Sequence, residues 1–444
     1  MKEYDLIIIG AGPGGYEAAL DAAKAGMKTA LIEKEALGGT CLNHGCIPTK
    51  SLLHAANLYK NIQEAGLFGL KAEASVDVTA VQARKNEVVA QLRSGIAAQM
   101  KKAKVDVYEG TGRITDAHTV RVGEEDLSAR FLMIATGSKT FVPKIPGAEL
   151  AGVYTSDELL EQDVLCDHLV IIGGGVIGME FASYYSAMGK QVTVIEAMPR
   201  ILPAMDKETS QSLKMLLKKK GVDIHTGARV EEIRKGLTVV FTEKETQQTV
   251  EADGVLICIG RRPNTEGLFE GEPLVEMERG FIHVNENGQT NVPSIYAIGD
   301  VTGGLMLAHE ATAEGRRAVE HMQGKTPAIR ADIIPGCIYT EPEIASVGLT
   351  VDQAKEKGLA ADSQKYPMTA NGKTVVEGAE RGFMKVVFEE STHKILGAQM
   401  MCERATDMIS EFALAITQDL TLEDMARVVR PHPTFSEAIT EAVR

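Results

Sequence analysis

The sequence predicts an α/β fold of two doubly wound, parallel-sheet units followed by an α+β region. Three observations carry this. A short β-branched run that ends in glycines occurs twice, Gly10 of the first copy answered by Gly173 of the second. Each copy continues into a helix-compatible stretch and then a second short strand. After about residue 330 the pattern changes to strand-like stretches at residues 383–388 and 395–400, which read as alternating, followed by helical periodicity over 406–417.

Composition sets the outer bounds. At 444 residues the chain has room for about three domains. Lys plus Arg number 47 against 61 Asp plus Glu, a net charge of −14, which argues against nucleic acid or an anionic membrane surface as partner. With 44% apolar and 24% charged residues the chain is neither disordered nor fibrous. No apolar run is long enough to span a membrane, and the run at residues 6–9 is too short for a signal-peptide core, so the expected location is the cytoplasm. Six cysteines in so long a chain make no disulfide scaffold; in a reducing compartment a close pair reads as catalytic or metal-binding.

The first copy is Leu6-Ile7-Ile8-Ile9-Gly10-Ala11-Gly12-Pro13-Gly14-Gly15, and the second is Leu169-Val170-Ile171-Ile172-Gly173-Gly174-Gly175-Val176-Ile177-Gly178. Both end in G-x-G-x-x-G, and Gly26 and Gly189 close the helices that follow. The second strands end in Glu33 and Glu196. This is the Rossmann-like dinucleotide-binding unit. Gly10 and Gly173 permit the turn, Gly12 and Gly175 admit a pyrophosphate, and Gly15 and Gly178 let helix and strand pack. The acid accepts hydrogen bonds from a ribose. A tight turn without a ligand is the bland alternative, but it does not account for strand, helix and acid recurring together. Two sites imply two dinucleotides, most simply a bound FAD and an exchanging NAD. A carboxylate at Glu196 repels a 2′-phosphate and so favours NAD over NADP, while Arg200 reads as a solvated loop residue.

Further strands are expected at residues 131–135 and 254–260, and one at 294–299 delivers Asp300 into a loop, either as a cap or facing a flavin ribityl or phosphate group. Residues 163–167 and 261–267 read as connecting segments. The units are drawn as 1–140 and 264–330 for the FAD-binding domain, 141–263 for the NAD-binding domain and 331–444 for the last domain.

The most specific feature is Gly38-Gly39-Thr40-Cys41-Leu42-Asn43-His44-Gly45-Cys46-Ile47-Pro48-Thr49-Lys50. Cys41 and Cys46 can approach within disulfide distance, and Pro48 suits the first turn of a helix that starts near Cys46. The helix dipole would then stabilise a Cys46 thiolate. A zinc site is a poor reading because no second half-site answers the pair, and no metal is expected. Cys166, Cys258, Cys337 and Cys402 read as core residues. Pro431 and Pro433 hold His432 outside any helix, as a base for thiol exchange. Glu437 would orient its ring or, as the end of Thr434-x-x-Glu437, cap a helix. Lys50 and Glu180 are proposed to pair beside the flavin, with a surface salt bridge as the alternative.

These motifs together resemble the pyridine nucleotide–disulfide oxidoreductase family over essentially the whole chain. The resemblance also rests on Gly299-Asp300 followed by Met306-Leu307-Ala308-His309, and on the motif at residues 339–348. Within the family it is greatest to members that oxidise dihydrolipoamide with NAD. It implies a C-terminal dimerisation domain, a homodimer and His432 and Glu437 acting in trans. Cys41 would exchange with the substrate, and Cys46 would contact the flavin. Gly39, Thr40, Lys50, Gly112, Thr136, Gly137, Ser138, Asp300, Met306, Leu307, Ala308 and His309 would serve FAD. Gly173, Gly175, Val176, Ile177, Gly178, Glu180, Val230 and Gly260 would serve NAD. The partner implied is the lipoyl domain of a 2-oxoacid dehydrogenase or glycine-cleavage complex. Reduction of another small disulfide and a redox-silent docking or sensing flavoprotein are the competing readings. Arg430-Pro431 stands where the family usually has His-Ala, a departure expected at the substrate mouth or in loops.

Overall fold

A computed structural model describes residues 2–444. The first sheet is built on two long apolar strands, Lys2–Ile9 and Glu125–Ile134, which run parallel with Leu6 opposite Phe131. Thr29–Glu33 and Asp106–Glu109 extend it on one side, and Ile295–Ala297 returns from far along the chain to pair with Glu125–Ile134. That return makes residues 295–297 part of the first unit's sheet. The central strands are buried on both faces, which is why they read as unbroken Ile/Leu runs.

The second sheet is wholly parallel, in the order Asp223–Thr226, Gln191–Glu196, His168–Ile172, Gly254–Ile257, Val153–Tyr154. The segment 163–167 therefore lies inside this unit, because Val153–Tyr154 upstream of it already pairs with Gly254–Ile257. A strand of two residues leaves no periodicity to read. The chain passes between the two units through an antiparallel ribbon, Ser138–Thr140 against Arg261–Pro263.

The C-terminal unit is an antiparallel five-stranded sheet with helix Ala405–Thr417 packed on it. The expected alternation is not observed: residues 383–388 are all buried. Helices cover one face of this sheet, and on the other Phe383 and Met401 enter a core shared by all three units, together with Leu52, Leu53, Phe181 and Tyr185. Even Lys385 is buried, its Nζ donating to Asp206 Oδ1 at 2.8 Å and Glu208 Oε2 at 3.3 Å in the second unit. Each large apolar side chain buried in the shared core is worth about 1.5–3 kcal/mol. The three units are thereby held around one common centre.

Candidate functional site

The two glycine loops open into one continuous cavity of about 2440 Å³. The physical reasons for each glycine repeat from one loop to the other. Gly10 and Gly173 have φ +104° and +120°, a region that side chains other than glycine's rarely enter. A Cβ on Gly15 would lie 1.9 Å from Gly10 O, and one on Gly178 would lie 2.1 Å from Gly173 O. By contrast, a Cβ on Gly12 or Gly175 would meet nothing within 4 Å. The helices Pro13–Lys24 and Val176–Ala187 start there, with no side chain capping either. An anion suits those unpaired N–H groups. The cradle fits a dinucleotide pyrophosphate at both loops.

The two acids also repeat. Glu33 accepts from Ala11 N and Glu35 N, both at 2.8 Å. Glu196 accepts from Gly174 N at 2.5 Å and Met198 N at 2.6 Å. Each carboxylate is pinned beneath its own loop and keeps spare lone pairs for a ribose. Arg200 donates to Pro203 O at 2.7 Å and is only partly exposed, so it is a loop clamp rather than a freely solvated side chain.

The cysteine segment is placed by local chemistry. Asn43 ties its short turn together through Leu37 O and Gly39 O, and Arg93 holds the Asn43 carbonyl. A Cβ on Gly39 would come within 2.6 Å of Gly12 Cα, so the segment lies directly on the first glycine loop. Helix Cys46–Gln63 begins at Cys46, with Pro48 in its first turn, where a missing N–H costs nothing. Cys41 and Cys46 are both free thiols, and Cys41 hydrogen-bonds Cys46. That bond is the main reason the Cys46 thiol falls from 9.0 to about 7; Lys50 adds to the effect, against the opposing pull of burial. A backbone hydrogen bond at Cys46 itself lowers it a little further. Cys41 is driven strongly upward, by the same hydrogen bond and by burial. One sulfur is thus poised as thiolate and the other as thiol.

Lys50 lies one helical turn beyond Cys46. Its Nζ meets Glu180 at 2.9 and 2.8 Å, and the Glu180 side chain is only 5% exposed. This is no surface salt bridge. Lys50 itself is 29% exposed, so removing it would leave the buried Glu180 carboxylate without its cation. Tyr339, first residue of the motif at 339–348, completes the arrangement. Its backbone N–H donates to Glu180 at 3.1 Å, and its ring lies 4.5 Å from Lys50 Nζ. Each of the three units supplies one member of this cluster. Cys337, read as core, is only half-buried and lines the same cavity.

The remaining residues expected at FAD gather on the first unit's side. Gly112, Thr136, Gly137, Ser138, Asp300 and Met306 to His309 all line the cavity. Asp300 does not cap the next helix; its Oδ2 accepts from Ser138 Oγ at 2.5 Å, and Ser138 Oγ in turn accepts from Arg261 Nε at 2.6 Å. Met306 sits at φ +56°, strain of the kind that clusters at ligand sites. Sequence reasoning missed Glu314, whose Oε2 accepts from Gly299 N at 2.6 Å; burial pushes its carboxyl up to about 7. On the second unit's side, Val176, Ile177, Glu180, Val230 and Gly260 line the cavity. Gly178 does not, being packed against its own strand.

His432 and Glu437 stand apart and do not line the cavity. The His432 side chain is 79% exposed, and its Nδ1 donates to Glu437 Oε1 at 2.8 Å. The other oxygen, Oε2, accepts from Thr434 N at 2.9 Å, but the helix starts only at Glu437, with Ser436 before it and no side chain capping it, so the foreseen cap does not form. The reciprocal half of a capping box is missing, because the Thr434 hydroxyl donates instead to Pro431 O. Thr434 N–H, and then His432, hold the Glu437 carboxyl below its usual range.

Residues 4–315 match the family described as pyridine nucleotide-disulphide oxidoreductase, and residues 334–443 match its dimerisation domain. The chain belongs to this family. Among curated relatives of this pyridine nucleotide-disulphide oxidoreductase, a dihydrolipoyl dehydrogenase of Bacillus subtilis is 45% identical, over 99% of this chain and 97% of its own. A dihydrolipoyl dehydrogenase of Rhizobium etli is 39% identical, over 100% and 98%. Among solved structures, the HOCl-induced flavoprotein disulfide reductase RclA of Escherichia coli superposes with TM-score 0.87 at 31% identity, covering 99% of both chains. The dimerisation domain supports a homodimer. No helix of the described residues is long and apolar enough to cross a membrane.

Proposed function

We propose that this pyridine nucleotide-disulphide oxidoreductase uses FAD to oxidise protein-bound dihydrolipoamide with NAD⁺ as acceptor. The lipoyl domain would be that of a 2-oxoacid dehydrogenase or glycine-cleavage complex, in the cytoplasm. The observation that carries the reading is the placing of the Cys41–Cys46 pair one turn from the Lys50–Glu180 ion pair, in a cavity shared by both glycine loops. The curated relatives direct it to dihydrolipoamide.

In the oxidised protein Cys41 and Cys46 form a disulfide. A substrate thiol, deprotonated by His432 of a second copy, attacks Cys41 Sγ, and Cys46 leaves as thiolate. The second substrate thiol attacks the substrate sulfur of this mixed disulfide. His432 gives the first proton up to solvent and takes the second substrate thiol's proton in this step. The lipoamide ring closes, and Cys41 leaves and receives that second proton from His432, so that one proton is released overall. The substrate loses two electrons and the protein disulfide gains them. The chemistry that a bound FAD supplies is carriage of this electron pair from the Cys46 thiolate to NAD⁺ as hydride. Lys50 provides a fixed cation beside Cys46, and Glu180 and Tyr339 keep it in place. A second copy suits the C-terminal unit, which leaves Leu414 58% and Val429 94% exposed near the His432 turn.

The deciding experiment compares lipoamide, glutathione disulfide and other small disulfides, with NADH and NADPH as donors. Preference for lipoamide with NADH is expected. Preference for another disulfide overturns the substrate, and a protein that binds FAD but turns over none is redox-silent. Glu196→Gln should cut the kcat/KM preference for NAD over NADP by about tenfold or more, since it removes the charge that opposes a 2′-phosphate but keeps an acceptor for the loop. An unchanged ratio would count against the ribose contact.

A further inference from the structure

The segment before His432 is where this chain departs from its family, and the structure shows which way the departing residue points. The Arg430 side chain is only 4% exposed. It turns inward, away from the surface on which His432 stands. Nη1 donates to Thr440 Oγ1 at 2.7 Å and to the carbonyls of Met425 and Val428 at 3.4 Å, and Nη2 pairs with Glu411. Only Nε has no partner among the described residues. Glu411 belongs to helix Ala405–Thr417, and Thr440 to helix Glu437–Ala442. Of the two expected places, substrate mouth or loop, Arg430 is in a loop, and its side chain points into the domain. A guanidinium has several donors in a rigid fork, and here they bind two helices at once.

His432 itself has one hydrogen-bond partner, Glu437, on that same helix Glu437–Ala442. Glu437 and Thr440 are three residues apart, and so lie on one face of it. The turn is therefore fastened to a single helix at two points: by the histidine ring to Glu437, and by Arg430 to Thr440. Between them stands only Pro431, whose φ is fixed. An exposed imidazole with one partner has little else to set its position.

We propose that Arg430 is a positioning residue for His432, anchoring the proline-flanked turn to Thr440 and Glu411 so that the imidazole projects at a set height from the dimerisation domain. The proposal rests on the reading of His432 as the base for thiol exchange. It adds the determinant of where that base stands. Arg430 acts through packing below the turn, without touching substrate.

The test uses the full-length, FAD-loaded dimer and dihydrolipoamide oxidation by NAD⁺. Arg430→Lys keeps the charge but lacks the fork, and should lower kcat about ten- to a hundredfold, the scale of a misplaced catalytic group. KM should change less than twofold, with flavin content and dimer mass as controls. In a His432→Ala background the same substitution should have no further effect on kcat. A full-sized effect in that background, or wild-type kcat for Arg430→Lys alone, overturns the proposal. If Arg430→Lys does not fold, Thr440→Val, which deletes one hydrogen bond, should show a smaller loss that again disappears in the His432→Ala background. His432→Ala turning over at the wild-type rate would instead overturn the base assignment, which separates the two failures.

Discussion

Cys46→Ser is expected to lower dihydrolipoamide oxidation by about four orders of magnitude, because no sulfur remains to leave Cys41 or to pass electrons on. Steady-state NADH formation measures it, and turnover within tenfold of wild type would overturn the assignment. The same sulfur makes a pH prediction. A thiol lowered from 9.0 to about 7 is mainly thiolate above pH 7 and mainly protonated below it. When the wild-type protein takes up two electrons, a long-wavelength absorption with thiolate as donor should therefore grow as pH rises through about 7 and fade as pH drops. The main cause of the lowering is Cys41, so Cys41→Ser should still show the band, with its midpoint moved. A midpoint near 9 in the wild type would mean that the two thiols do not influence each other as the geometry requires.

His432→Ala should slow dihydrolipoamide oxidation about 10²- to 10⁴-fold, the usual worth of a general base, while FAD stays bound. Unchanged turnover would remove His432 from the mechanism. Its position outside its own chain's cavity adds a sharper consequence. Mixing Cys46→Ser and His432→Ala subunits gives hybrid dimers in which one of two sites has both groups intact. Random re-pairing should restore roughly one quarter of wild-type activity. Hybrids that remain inactive would show that the base does not act across the dimer.

Much of this arrangement was legible in the sequence because it is local. The glycine loops follow from strand, turn and helix within a few residues: the first glycine is fixed by its positive φ and the third by sterics against its own loop. Cys41, Cys46 and Lys50 share one short segment, so their proximity follows from chain geometry. Pairings between distant segments were harder to see. Lys50 and Glu180 are 130 residues apart, and only the packing of helix Cys46–Gln63 on helix Val176–Ala187 makes their contact buried. Tyr339 carries no signal of its own, since a tyrosine in a strand-like motif reads as packing. The continuous burial of residues 383–388 was misjudged because helices and the second unit cover the two faces of that sheet.

The sequence by itself determined the repeat, the two dinucleotide loops with their acids, the cysteine pair and the isolated histidine, because each is written in a short stretch whose backbone has few alternatives. Tertiary structure alone decided that Glu180 and Tyr339 meet Lys50 and that Arg430 faces inward. Those outcomes depend on distances and desolvation between segments far apart in the chain, and such quantities exist only once the three units have closed on their common core.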